Sequence, residues 1–299
     1  MLRALKSMTM KHAFSFAAVA LLLLVQGCGR DESELGSTNA KGTLIHAVKS
    51  DFSDIRVREM GTVRNLIFAE PSGLEVLQSS IDLKQPGRLM LAYSNAMFGS
   101  FLFKHPQQRV LVVGLGGGAM VRFMNHHFPK TQVDVVEIDP VVVALADEYF
   151  GTRASPGTRI FTEDAIQYLQ RDHGKYDAIY MDAFLEPGIE TDAHGIPKKL
   201  KTVEFLKGLR RHLNPGGVVA FNIIEHPDLD GDLQAISEAF AVVHAAKVPT
   251  TNNHVVIASP EPVKQRPGSL RDAGSELDRR LKVGFSFEGL AELLNETSS

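Results

Sequence analysis

Arg109 to Asp139 reads RVLVVGLGGGAMVRFMNHHFPKTQVDVVEID, and this stretch decides the fold. Val110 to Val113 are apolar and rich in β-branched residues, the signature of a strand buried on both faces. Gly114-Leu115-Gly116-Gly117-Gly118-Ala119 then turns the chain. A helix is expected over Ala119 to His127 and a second buried strand over Gln132 to Ile138. Glycine suits the turn because the backbone there needs unusual dihedrals and must lie bare to a ligand. An acid at the tip of the second strand can accept both hydroxyls of a ribose, and Glu137 holds that place. Glycine turns without ligands are common, but a βαβ unit with that acid points to a bound nucleoside.

Downstream, strands and helices alternate. Helices are expected at Pro140 to Phe150, with Pro140 in the first turn, at Asp164 to Gln170 and at Thr202 to Leu213. Strands are expected at Thr158 to Thr162, Tyr176 to Met181 and Val218 to Ile224. Asp164 and Thr202 are the helix caps, and Asn214-Pro215-Gly216-Gly217 stops the third helix. Ala241 to Val248 and Asn253 to Ser259 read as a hairpin, and Leu270 to Leu281 and Phe287 to Leu294 as closing helices. This pattern predicts an α/β fold: a doubly wound, Rossmann-like parallel sheet with an antiparallel C-terminal edge hairpin.

Upstream, Asp54 to Glu59, Val63 to Phe68 and Leu74 to Ser79 alternate polar and apolar residues, as in an antiparallel sheet with one wet face. Residues 43–87 therefore read as a small N-terminal β domain. Leu89 to Phe103 reads as an apolar helix leading into the catalytic domain of 88–262, and 263–299 as a helical tail. Lys6, Lys11 and His12 precede an apolar run from Ala13 to Val25, about 13 residues and too short to span a bilayer. With Gly27-Cys28 behind it, the run reads as a secretory signal over 1–28. Gly-Cys after the apolar core resembles a bacterial lipobox, which implies lipidation of Cys28, export, and 29–42 as a polar tether. The alternative is an uncleaved segment on a cytoplasmic protein.

The chain has 299 residues, a formal net charge of −3 and a single cysteine. That charge gives no footprint for nucleic acid, and one cysteine cannot form an internal disulfide. No metal-ligand cluster is legible. Lys198, Lys199 and Lys201, and Arg210, Arg211 and His212, read as solvated helix faces.

In open α/β sheets the ligand lies beyond the carboxyl ends of the strands. Glu137, Asp139, Asp164 and Asp182 all fall there, which argues for one site. Asp164, with Ala165 beside it, can take the exocyclic amine of adenine while capping its helix. Asp182 would face the reacting group as a base or as an anchor for an amine. Cap-only and strand-end-only readings of these two acids stay open.

VLVVGLGGGA, VDVVEIDP, TEDAIQYL, YDAIYMDAF, IPKKLKTVEF and LNPGGVVAFNI together resemble the spermidine-synthase-like branch of class I AdoMet-dependent transferases, over roughly Thr43 to Ser259. The resemblance implies that Glu137 holds the ribose, Asp164 the adenine, and that Asp182 sits beside the acceptor amine. It implies AdoMet or decarboxylated AdoMet as co-substrate, no metal, and a homodimer as in many relatives. There are departures. Polyamine makers carry an acid within the glycine string (GGGDGG), where Gly117 stands here. Two like charges about 4 Å apart cost about 4 kcal/mol at an effective dielectric near 20, roughly a thousandfold in binding, so losing that acid removes a barrier to intact AdoMet. The D-x-x-D-P motif is one residue longer, Asp182-Ala183-Phe184-Leu185-Glu186-Pro187. An upstream acid is missing near Leu89-Met90, although Tyr93 remains.

The sequence therefore places methyl transfer to an amine or hydroxyl of a small molecule or protein first. Gly114, Gly116, Gly117, Gly118, Glu137, Asp139, Asp164 and Ala165 bind the nucleoside, and Asp182 is catalytic. Tyr93 and Glu186 fall in the acceptor pocket, with His194 and His226 as further candidates. Aminopropyl transfer to an atypical amine is the alternative, with Glu186 replacing the lost aspartate. A catalytically silent, lipid-anchored binding protein is the third reading. A nicotinamide dehydrogenase, from G-x-G-x-x-A at Gly114, Gly116 and Ala119, is the weakest.

Overall fold

The computed structural model describes residues 38–185, 187–262 and 269–295. Cys28, the apolar run before it and Glu186 lie outside them. Two sheets organise the chain. The small one has the order β1-β2-β3-β4-β5 and is antiparallel throughout: β1 Thr38–Asn39, β2 Gly42–Lys49, β3 Asp54–Met60, β4 Val63–Ala69 and β5 Glu75–Asp82. The sequence reading missed β2. Its alternation is interrupted where the pairing slips between Leu44 and His46, and such a bulge hides a period of two. The sheet also takes up Thr38, Asn39 and Gly42, which had been placed in the tether.

The large sheet comprises β6 Arg109–Val113, β7 Gln132–Glu137, β8 Thr158–Thr162, β9 Tyr176–Met181, β10 Leu213–Ile224, β11 Val242–Lys247 and β12 Asn253–Ser259. Its order is β11-β12-β10-β9-β6-β7-β8. β6 lies between β7 and β9, parallel to both, while β12 runs antiparallel to β10. The chain leaves β6 in one direction for β7 and β8, then returns to its other side for β9. That reversal opens a crevice at the carboxyl ends of β6 and β9.

Alternation along the strands divides the core in two. Val110, Val112, Val133, Val135 and Tyr180 face one layer with Phe98, Phe101, Phe123 and Phe287. Leu111, Val113, Val136, Ile179 and Met181 face the other with Leu206, Leu209 and Ile236. Helices α2 Ala119–His127 and α3 Pro140–Phe150 belong to the first layer. The second holds α4 Ala165–Gln170, α5 Val203–Leu209 and α6 Leu229–Ala239. α7 Leu270–Arg280 and α8 Phe287–Asn295 pack as the closing pair, burying Leu277, Phe287 and Ala291.

Three expectations change. Leu89 to Phe103 is not one helix but α1 Ala92–Met97 followed by a 3-10 turn, Phe98–Leu102. Phe98, Phe101 and Leu102 are all buried there, so tertiary packing overrides a regular helix. α5 ends at Leu209 in a 3-10 turn, Arg210–His212, and Leu213 already begins β10, so the expected Thr202 to Leu213 helix is shorter. α6 was not foreseen at all.

Candidate active site

The glycine turn follows from how β6 and β9 end. Asp182 N–H donates to Val113 O at 2.9 Å, which carries the sheet ladder one residue past β9. Gly114 therefore lies against the Asp182 carbonyl: a Cβ there would sit 2.2 Å from that oxygen, and its φ of +94° is left-handed. Only glycine fits without moving backbone. Leu115 N–H, just beyond, donates to Glu137 Oε2 at 2.9 Å, and Asp139 N–H donates to Oε1 at 2.9 Å. Both oxygens of the expected ribose acid are thus fixed by backbone. Burial pushes the Glu137 carboxyl above its ordinary value, against the pull of those N–H groups.

A cavity of about 270 Å³ opens over these ends. Gly114, Leu115, Gly116, Glu137, Asp139, Asp164, Ala165, Tyr93 and Asp182 all line it, so one site gathers most of the residues expected from sequence. Asp164 caps α4 through Oδ1, which accepts from Ile166 and Gln167 N–H at 2.6 and 3.1 Å. Asp139 caps α3 from Oδ1, and its Oδ2 accepts from the Ser50 hydroxyl at 2.5 Å. Both Asp139 oxygens therefore have partners within the fold. Gly117 and Gly118 are turned from the cavity: a Cβ on Gly117 would meet the Phe150 ring at 2.8 Å and Ser79 Oγ at 3.0 Å, and one on Gly118 would meet Thr152.

At the acceptor end, Asp182 Oδ1 accepts from Asn222 Nδ2 at 2.8 Å, and Tyr93 Oη donates to Oδ2 at 3.4 Å. Burial raises the Asp182 carboxyl to about 6, while these donors hold it down. Tyr93 is pushed well above its usual value by burial and by the Asp182 charge, so it remains a donor. Asn222 is oriented in turn, its Oδ1 accepting from Asn253 Nδ2 at 2.8 Å.

Several residues that line the cavity lie outside the positions expected from sequence. Ser53, Gln78 and Ser79, from the small sheet, line the same cavity, as do Glu190 and Lys199 from the segment after β9. Lys199 is solvated as expected, but Lys201 is not. Lys201 Nζ lies 2.9 Å from Asp192 and 2.5 Å from Asp232, and His226 Nε2 lies 2.8 Å from Asp232. Asp192, His226 and Asp232 could together offer metal ligands, but the Lys201 ammonium sits among them and supplies their positive charge. His226 belongs to this group, and neither it nor His194 is on the cavity wall. No spacing in the sequence announces the Lys201 contacts, because they join loop residues to α6.

The strand order, the glycine turn and the acid at the end of β7 define a Rossmann-like α/β fold with a cavity at its switch point. Residues 90–258 match the spermine/spermidine synthase domain. The chain is 32% identical over 223 residues to a polyamine aminopropyltransferase of Vibrio vulnificus, covering 73% of this chain and 72% of that one. It belongs to the spermine/spermidine synthase family. Human methyltransferase-like protein 13, solved with SAH, superposes with a TM-score of 0.58 at 26% identity, over 65% of this chain and 95% of that one. A spermidine synthase solved with the transition-state analogue AdoDATO gives a TM-score of 0.62 over 84% of this chain and 83% of that one, at 16% identity, a likeness of fold alone.

Proposed function

We propose that this protein alkylates an amine, taking an aminopropyl group from decarboxylated AdoMet. One observation carries the amine: Asp182 lines the cavity wall as a buried carboxylate, held by Asn222 at 2.8 Å and Tyr93 at 3.4 Å, where burial also pushes its pKa up. The amine arrives as an ammonium and passes one proton to Asp182. The lone pair so freed attacks the carbon bonded to the sulfonium, the C–S bond breaks with its electron pair neutralising sulfur, and the alkylated nitrogen leaves as an ammonium. A base with a pKa near the working pH suits that transfer. Glu137 and the backbone of Gly114 to Gly116 hold the sugar, with Asp164 and Ala165 at the base.

The sequence reading placed methyl transfer first. The named relatives reverse that order, since the Vibrio protein is called an aminopropyltransferase. Methyl transfer stays as the second reading on one specific feature. Gly117 brings no negative charge to the glycine turn, and an acid there would run into Phe150 and Ser79. The methyltransferase-like protein solved with SAH is compatible with it.

The experiment supplies each donor separately and follows the thioether product by mass spectrometry. Release of methylthioadenosine from decarboxylated AdoMet supports aminopropyl transfer; S-adenosylhomocysteine from AdoMet alone replaces it with methyl transfer. Asp182→Asn should lower kcat by about a hundredfold or more, in line with the worth of a positioned base. Full activity in that variant would remove Asp182 from the chemistry.

We also propose that the segment up to Cys28 directs export and lipidation. Fractionation tests this. Wild type should partition with membranes and Cys28→Ala should not, whereas a wholly cytosolic wild type discards the anchor.

A further inference from the structure

β5 carries an irregularity where it meets the cavity. Leu77 pairs with Ile67 and Ser79 with Leu66, so Gln78 is an extra residue without a partner on β4. Successive side chains of a regular strand point to opposite faces, yet Gln78 and Ser79 both line the nucleoside cavity. A bulge of this kind re-aims a side chain, and such bulges gather beside active sites.

The two residues stand at different points of the wall. Ser79 lies against the glycine turn: a Cβ on Gly116 would meet Ser79 Cβ at 3.4 Å, and one on Gly117 would meet its hydroxyl at 3.0 Å. Ser79 is only 5% exposed, and its hydroxyl has no hydrogen-bond partner among the described residues. A buried hydroxyl without a partner is costly, so it is available to a ligand that supplies one. Gln78 stands nearer the acceptor end, because Tyr93 Oη lies 3.4 Å from both the Gln78 main-chain oxygen and Asp182 Oδ2. The Gln78 carboxamide makes one long contact, from Nε2 to Val76 O at 3.5 Å. Two polar groups thus run from the turn that holds the sugar towards the acid that faces the amine.

A donor with its sugar at Glu137 and its reacting carbon facing Asp182 passes its sulfur along that path. The chain on sulfur ends in an ammonium in decarboxylated AdoMet, and in an ammonium and a carboxylate in AdoMet. Hydroxyl and carboxamide each donate and accept, so either end finds a partner, and neither residue brings a charge. We propose that Gln78 and Ser79 hold the charged end of the donor's chain, and that this uncharged subsite binds decarboxylated and intact AdoMet alike. The proposal rests on the reading of the cavity as the donor's nucleoside site.

Calorimetry without an acceptor measures the binding of AdoMet, decarboxylated AdoMet and methylthioadenosine, which lacks the chain. The wild type should bind the two donors within about tenfold of each other, and a wider gap would overturn the inference. Ser79→Ala should weaken both donors by about tenfold or more, the worth of a hydrogen bond to a charged group, and methylthioadenosine by less than about threefold. Equal losses for all three, or none, would overturn it, since Ser79 would then shape the cleft without holding the chain. Ser79→Asp supplies a charge and should shift the ratio towards decarboxylated AdoMet by about tenfold or more. Because that variant could disturb the fold, Gln78→Glu adds the charge at the less buried neighbour, with a shift in the same direction. An unchanged ratio in Gln78→Glu, or in a folded Ser79→Asp, would overturn the inference. None of these readings depends on the group transferred, so amine alkylation stands or falls separately. A wild type that binds none of the three ligands would remove the nucleoside site as well.

Discussion

Asp182 is held between donors of unequal strength, 2.8 Å from Asn222 and 3.4 Å from Tyr93. Its folded pKa, about 6, stands above its ordinary 3.8. A raised carboxyl favours the folded state when protonated, so its contribution to stability is greatest below about pH 4 and is lost as the pH rises towards 6. Activity runs the other way, since the base form appears as pH climbs through 6. Asn222→Ala removes the stronger donor. The carboxyl should then rise further, and the acid limb of the kcat profile should move to higher pH by about one to two pH units, because a hydrogen bond to a charge is worth about 1.5–3 kcal/mol. Asn253→Ala, outside the cavity, frees the Asn222 amide to flip and should move the limb the same way by less. A limb that stays put in both would show that the pair only packs. Glu137 offers a second test. Glu137→Gln presents an NH2 group to one of two backbone N–H donors, Leu115 or Asp139. Nucleoside affinity measured by calorimetry should fall by about tenfold to a hundredfold, the worth of a lost charge-assisted contact.

The glycine turn and the strand ends were readable as elements because each carries a local signature. The strands Arg109–Val113 and Tyr176–Met181 are apolar runs, Asp164 does cap α4, and Pro140 does open α3. What escaped was built by distant contacts. α6 places Leu229, Leu233, Ile236 and Ala239 at helical spacing, but Asp230, Gly231 and Asp232 among them read as a turn. Without α6, neither Asp232 nor the Lys201 group could be assembled. The Asn222–Asn253 pair likewise depends on the register of β10 against β12, which no local pattern specifies. Gly117 shows the limit of a motif comparison: its missing acid is legible, yet the Phe150 ring and Ser79 that crowd the position come from other elements. A prediction belongs at this scale. Gly114→Ala forces a left-handed φ on a residue with a Cβ and drives that Cβ against the Asp182 carbonyl. Denaturant unfolding should show a loss of about 3 kcal/mol or more, along with loss of nucleoside binding. A near-neutral result would mean that the turn relaxes and does not fix the β6–β9 crevice.

Across the molecule, the nucleoside cavity belongs to both sheets. Ser53, Phe68, Gln78 and Ser79 reach it from the small sheet, and Ser50 at the β2–β3 turn holds Asp139 at the head of α3. Arg64 of β4 adds a contact to the Tyr149 carbonyl near the end of α3 at 2.5 Å, and the Tyr149 hydroxyl lies 3.1 Å from His46 of β2. A ligand in the crevice should therefore stiffen both sheets, not the Rossmann-like sheet alone. Binding at about a hundred times Kd stabilises the folded state by about 2.7 kcal/mol, and local opening reports how that free energy is distributed. Hydrogen exchange with methylthioadenosine present should slow at residues 50–53 and 78–79 as well as at 114–116 and 164–166. Ser50→Ala cuts one link between the sheets, so the slowing at 50–53 should shrink while that at 164–166 remains. Protection confined to the large sheet in the wild type would make the small one a neighbour of the site and not a wall of it.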